Sequence, residues 1–186
     1  MKKLLLILLC LPMIFNSCQQ NNSTPSSPLI TGITEIDAVG DTVGNIDSSD
    51  WTLDYSWSQV EKNLFSNYND LTHNYNVYNM IMLAYPNPTY DVVNIGIGSI
   101  DNVNITMIVV DNQFNQIIID SYDIVGGLPL PQDSLSVTDV GPFYSFRAYS
   151  LHSIAPGNNL RRFYYIATRN DTCFYKGHGD VMEITI

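Results

Sequence analysis

Apolar positions in this 186-residue chain fall into short runs, and from Met80 onward their rhythm is that of strands. Met80–Tyr85 is an apolar run stopped by Pro86-Asn87-Pro88, which cannot continue a ladder because proline has no N–H. Val92–Ile97 alternates, with Val93, Ile95 and Ile97 on one face, whereas Ile105–Val110 is apolar on both faces, as a central strand must be. Asp111–Asn115 makes a turn and Ile117–Ile119 returns from it. Gly126-Gly127, Pro129 and Pro131 punctuate a longer connection. Leu135–Val137, Tyr144–Leu151, Leu160–Thr168, Thr172–Tyr175 and Val181–Ile186 complete the series. Many short strands separated by turn signals predict an all-β fold, an antiparallel immunoglobulin-like sandwich.

Helical rhythm is confined to one place. Ser58 followed three positions later by Glu61 fits a capping box, and Val60, Leu64 and Phe65 follow at helical spacing. One short helix near residues 58–66 is therefore expected beside the strands. Before it, Leu29–Asp50 carries only isolated apolar residues, with Ile33–Ile36 as an edge-strand candidate, and Gln19–Pro28 has no apolar periodicity at all. The compact part is expected to open at Trp51 and form a single domain over residues 51–186.

A third apolar pattern lies at the start. Lys2 and Lys3 precede an unbroken run from Leu4 to Phe15, and Asn16-Ser17-Cys18 follows. A basic start, a short greasy stretch and a small residue read as a secretory signal peptide over residues 1–17. Because Cys18 directly follows Ser17, the segment resembles a bacterial lipoprotein signal, which implies lipid attachment at Cys18 and a membrane partner reached through acyl chains. Residues 18–50 then form a lipidated, mostly loop-like tether. Gln19 and Gln20 carry no acidic retention signal. The expected address is the cell envelope, as an outer-membrane lipoprotein facing the periplasm or the surface.

Charge and cysteine count narrow the function. Without residues 1–17 the chain keeps 18 acidic against 6 basic residues, a net of −12, which repels nucleic acid and anionic lipid. Cys10 leaves with the signal and Cys18 takes the lipid, so Cys173 remains alone and the domain must be held by apolar packing. Cys173 in a strand-like run is expected to be buried and inert.

The stretch Tyr85-Pro86-Asn87-Pro88-Thr89, then Asp91 and Val92-Val93-Asn94-Ile95, resembles the opening of the type IX secretion C-terminal sorting domain. The likeness extends through Ile105–Val110 to Asn115, where that family usually has a glycine. It implies an immunoglobulin-like sandwich and, as an alternative function, a sorting or cargo-delivery module. The basic tail of that family has no counterpart in Gly179–Ile186.

Candidate chemistry is sparse. His73, His152 and His178 are the only histidines, and none has metal-ligand spacing to another. His178, with Glu183 and Asp180 near, is the candidate general base of a small hydrolase, while Gly177 and Gly179 around it suggest a bulge. Asp41, Asp47 and Asp50 invite a calcium reading but miss the EF-hand pattern. No cofactor motif is present. Aromatics concentrate between Trp51 and Tyr90. Trp51, Tyr55 and Trp57 are the candidate ligand-contact rings, against the ordinary alternative that such rings pack in cores. Asp41-Thr42-Val43 and Asp133-Ser134-Leu135 are similar to a bacterial O-glycosylation tripeptide. The reading these features support is a membrane-anchored, non-enzymatic module that binds an envelope protein or a glycan.

Overall fold

The computed structural model describes residues 30, 32–68, 71, 80–99, 101–126, 144–151 and 160–184, with 144–146 as backbone only. The signal segment, Cys18, the polar tether, the strand expected at Leu135–Val137, Asp133-Ser134-Leu135, His73 and His152 lie outside them.

Two antiparallel sheets face each other. In chain order the elements are β1 (Thr52–Leu53), α1 (Gln59–Leu64), β2 (Met80–Tyr85), β3 (Val92–Ser99), β4 (Val103–Asp111), β5 (Gln116–Ile124), β6 (Tyr144–Ser150), β7 (Leu160–Arg169) and β8 (Thr172–Met182). One sheet runs β1-β8-β7-β4-β5 and the other β2-β3-β6. The fold is the all-β sandwich that the alternating pattern predicts.

Alternation places the core. Val93, Ile95 and Ile97 of β3 meet Val103, Ile105, Met107 and Val109 of β4 and Phe163, Tyr165 and Ala167 of β7 between the sheets. The opposite face of β4 is apolar because it too is covered. Ile108 and Val110, with Tyr164 and Ile166 of β7, pack beneath Trp57, Phe65 and Leu71. The segment around α1 is thus a third layer over the five-stranded sheet. Its start is fixed by the capping box, in which the Ser58 N–H donates to the Glu61 carboxylate and the Glu61 N–H to Ser58 Oγ. No helix among the described residues is long and apolar enough to cross a membrane.

Three expectations need correction. The glycines around His178 do not mark a bulge: β8 runs unbroken through them, with Gly177 opposite Tyr165 and Gly179 opposite Phe163. The register shift falls instead between Ala167 and Thr168 of β7. Gly179 is required because a Cβ there would enter the Trp51 ring, and one on Gly177 would enter the Thr52 carbonyl and the Tyr165 ring. Val181–Ile186 is not a separate strand, since β8 reaches Met182 and the chain beyond is held by Thr89 through a parallel bridge at Glu183.

Third, the packed body begins before Trp51. Ile33 and Ile36 are buried, and the segment 32–50 is stitched to the sandwich although it forms no strand. Asn87 does most of this. Its N–H donates to the Ile36 carbonyl (2.8 Å) and its carbonyl accepts from the Ile36 N–H (2.7 Å). Its fully buried side chain donates to the carbonyls of Thr34 (2.9 Å) and Asp180 (2.8 Å) and accepts from the Met182 N–H (3.1 Å). The prolines on either side cannot supply donors, so the asparagine between them carries the junction at this point.

A trough at the open edge of the sandwich

Where the two sheets part, on the side of β1 and β2, lies a cavity of about 470 Å³. Trp51 and Leu53 form one wall with Tyr175, Met80–Leu83 of β2 form the other, and Ile36, Thr42 and Ile46 close it from the segment 32–50. Residues from both faces of β2 contribute, so the trough wraps the strand's edge.

That segment is shaped locally. Asp37 Oδ1 accepts from the N–H groups of Val39 and Asp41, a turn set by a side-chain carboxylate. The chain returns through Ile36 opposite Thr42 and the Glu35 N–H donating to the Asn45 carbonyl. This leaves Val39, Val43 and Ile46 exposed, Ile46 at 71%. Single exposed aliphatics are ordinary, but three fall on one short excursion, and Ile46 among them lines the apolar trough.

The three candidate rings separate here. Trp51 and Trp57 are buried, so neither presents an open ring face to solvent, although Trp51 lines the trough. Trp51 stacks on Tyr165 with centroids 6.2 Å apart and planes within 4°, and its backbone is left-handed at φ 58°. A bulky residue there costs of the order of 1–3 kcal/mol and persists only where packing over-determines it, as the slot above Gly179 does. Trp57 stacks on Phe65 and meets Tyr164 edge-on. Tyr55 alone of the three is exposed, at 56%.

The histidine candidate sits under the third layer. Outward-facing residues of β7 and β8 pair across the ladder as Arg162 with Asp180, Tyr164 with His178 and Ile166 with Lys176. His178 Nδ1 lies 3.1 Å from Asp54 Oδ2. Burial resists ionisation of Asp54, but the His178 hydrogen bond and the Ser56 donors outweigh it and bring the carboxyl down to about 2. Tyr164 donates to Glu61 (3.0 Å), and Lys176 Nζ donates to the Leu71 carbonyl (2.7 Å). His178, Tyr164 and Lys176 thus tie the covering layer to the sheet. Cys173 is buried as expected, its Sγ 3.5 Å from the Tyr175 carbonyl.

Asp50 was missed as anything other than a calcium candidate. It is buried, accepting from the Thr34 N–H at 2.8 Å and the Asp180 N–H at 3.0 Å, and it links the trough's outer segment to β8. Burial, then the neighbouring charge of Asp180, pushes its carboxyl up to about 7. Burial also raises Asp180, but Arg162 grips it through two hydrogen bonds of 2.7 and 2.6 Å, and Asp180 is the ionised member of the group. Asp41 is exposed while Asp50 is buried, and Asp47 is occupied by Ser49, so the three aspartates do not form a ligand group. Among the described residues no group of three potential ligands could hold a metal.

A second, more open concavity of about 810 Å³ lies at the far end of the five-stranded sheet, lined by Asp101, Asn104, Asp123, Arg169 and Asp171 among others. Two pairs of its polar groups meet: Arg169 pairs with Asp101 at 2.6 Å and Asn104 donates to Asp123.

No family model matches this chain, and no curated protein does. Parts of it superpose on dimeric latent PorU from Porphyromonas gingivalis, at 10% identity and TM-score 0.37, over 59% of this chain and 10% of that one. Two structures of a glycosyl hydrolase family 2 member from Bacteroides cellulosilyticus are similar at 10% and 9% identity, with TM-scores of 0.34 and 0.32. Each covers 59% of this chain and 14% or 15% of the hydrolase. The chain therefore spans a small fraction of the proteins it superposes on.

Proposed function

We propose that this chain is a lipid-anchored envelope lipoprotein that works without catalysis, binding another envelope protein through the trough between β1 and β2. The observation that carries this reading is an apolar cavity, with the exposed Ile46 in its lining, at an open sandwich edge, where ligand sites are expected to be concave and mainly apolar. The signal-like start supports the anchor: acyl chains on Cys18 hold the protein, at roughly 0.8 kcal/mol per buried methylene, and the polar stretch after it gives reach.

Photo-crosslinking in intact cells tests the reading, with the crosslinker at Ile46 beside the trough or at Ile119 on the opposite edge. The binding reading expects a discrete adduct from position 46 and none from 119, and membrane release of a Cys18→Ala form. Equal labelling from both positions would overturn it. If the Cys18→Ala form gives the same adduct as wild type, anchoring is not part of the mechanism.

A further inference from the structure

Four strands bound the two sheets, and they differ in how they are defended. β1 is two residues long. β5 carries Asp120 and Asp123 and faces a register irregularity at Val109/Val110, while β6 carries Arg147. Shortness, charge and bulges are the devices that keep sheet edges from pairing with other chains. β2 has none of them. Met80-Ile81-Met82-Leu83-Ala84-Tyr85 is six residues without a charge, paired along its full length to β3 from Met80↔Ser99 to Tyr85↔Asn94. On its other side no strand lies among the described residues. Alternate N–H and C=O groups of an edge strand point outward, and they need partners when an apolar ligand excludes water.

From this we infer, resting on the binding reading above, that the trough takes one extended strand of a partner polypeptide, added to the edge of β2 that no strand among the described residues covers. Alternate side chains of that strand, apolar ones, enter the cavity beside Leu53 and Ile81. This is strand addition, in which the ladder gives affinity and the pockets give selection. Charge sets the ends of the occupant. Asp47 lines the trough, Asp37 and Asp41 are the chain neighbours of the lining residues Ile36, Gly40 and Thr42, and the Ser49 hydrogen bonds hold Asp47 below the usual carboxylate range. The whole chain is at −10. Lys or Arg flanking the apolar core therefore fits the site and acidic flanks do not. A glycan fits poorly, because the aromatic rings of the wall, Trp51 and Tyr175, are buried and offer no open stacking face.

The test uses the chain without its signal and a fluorescent peptide, Lys-Val-Thr-Val-Thr-Val-Lys, read by anisotropy at low salt. The expected result is saturable binding of the peptide. N-methylation of alternate amides on one peptide edge should weaken it by about tenfold or more, the loss of one or two net hydrogen bonds, while methylation of the other edge leaves it intact. Asp41, exposed and with no side-chain hydrogen bond of its own in the turn, supplies the charge test: Asp41→Lys should weaken the Lys-flanked peptide and strengthen a Glu-flanked one. Equal binding of both methylated forms, or no exchange of preference in Asp41→Lys, would overturn strand addition. Self-association that protects β2 as protein concentration rises, without peptide, would overturn it in favour of a second copy as the occupant. Absence of peptide binding while the Ile46 adduct persists in cells sinks the strand and leaves the binding module standing. Loss of both sinks both.

Discussion

Replacing Asp50 by asparagine should flatten the pH dependence of stability between pH 5 and pH 8. Asp50 is 5% exposed, and burial first, then Asp180, raises its carboxyl from 3.8 to about 7. A carboxyl raised in the folded state holds its proton more tightly there than in the unfolded chain. Its contribution is complete below about pH 4 and is lost as pH rises through about 7. At 1.36 kcal/mol per unit, stability from this group falls by roughly 3 kcal/mol between pH 5 and pH 8. Asp54 has the opposite sign, lowered to about 2, so its contribution is lost only as pH falls through that value, outside the window. Asparagine cannot ionise, but its Nδ2 meets one of the two N–H donors that Asp50 satisfies, a cost of roughly 1–3 kcal/mol. The variant is therefore expected to be weaker than wild type at pH 5 and equal or stronger at pH 8. Urea unfolding followed by tryptophan fluorescence gives both curves. Parallel curves across the window would refute the burial argument.

Two further substitutions probe how the trough is held. Asn87→Ala should cost about 3 kcal/mol, because it orphans a buried carbonyl, a half-buried carbonyl and one N–H at once, and amide exchange should loosen in residues 33–36 and near Met182. A loss under 1 kcal/mol would contradict the junction described for it. Gly179→Ala should cost roughly 1–3 kcal/mol by overpacking against Trp51, and in a Trp51→Leu background most of that cost should vanish. Additive double-mutant values would show that the ring is not what the glycine accommodates.

What could be read from the sequence followed its periodicity. Val93, Ile95 and Ile97 each prove fully buried, and Ile105–Val110 lies in a strand flanked by β5 and β7, because a period of two reports directly which face a side chain takes. The capping box on Ser58 was legible for the same reason, being settled within three residues. Contacts across long stretches of chain were not. Gly179 looks like a bend until Trp51 is seen lying on it. Asp50 looks like a loop acid until Thr34 and Asp180 close over it, and Trp57 looks like a free ring until Tyr164 and Phe65 enclose it. The trough itself has no local signature. It arises where a two-residue strand fails to cover an uncharged six-residue one, a relation between segments far apart in the chain.

Hydrogen exchange across Met80–Leu83, measured on the protein in native membranes and again on the purified protein without any partner, tests the proposed binding surface directly. Protection of these amides in the membrane and fast exchange of the outward-facing ones once the partner is gone is the predicted result. Identical exchange in both states would mean that nothing docks on this edge.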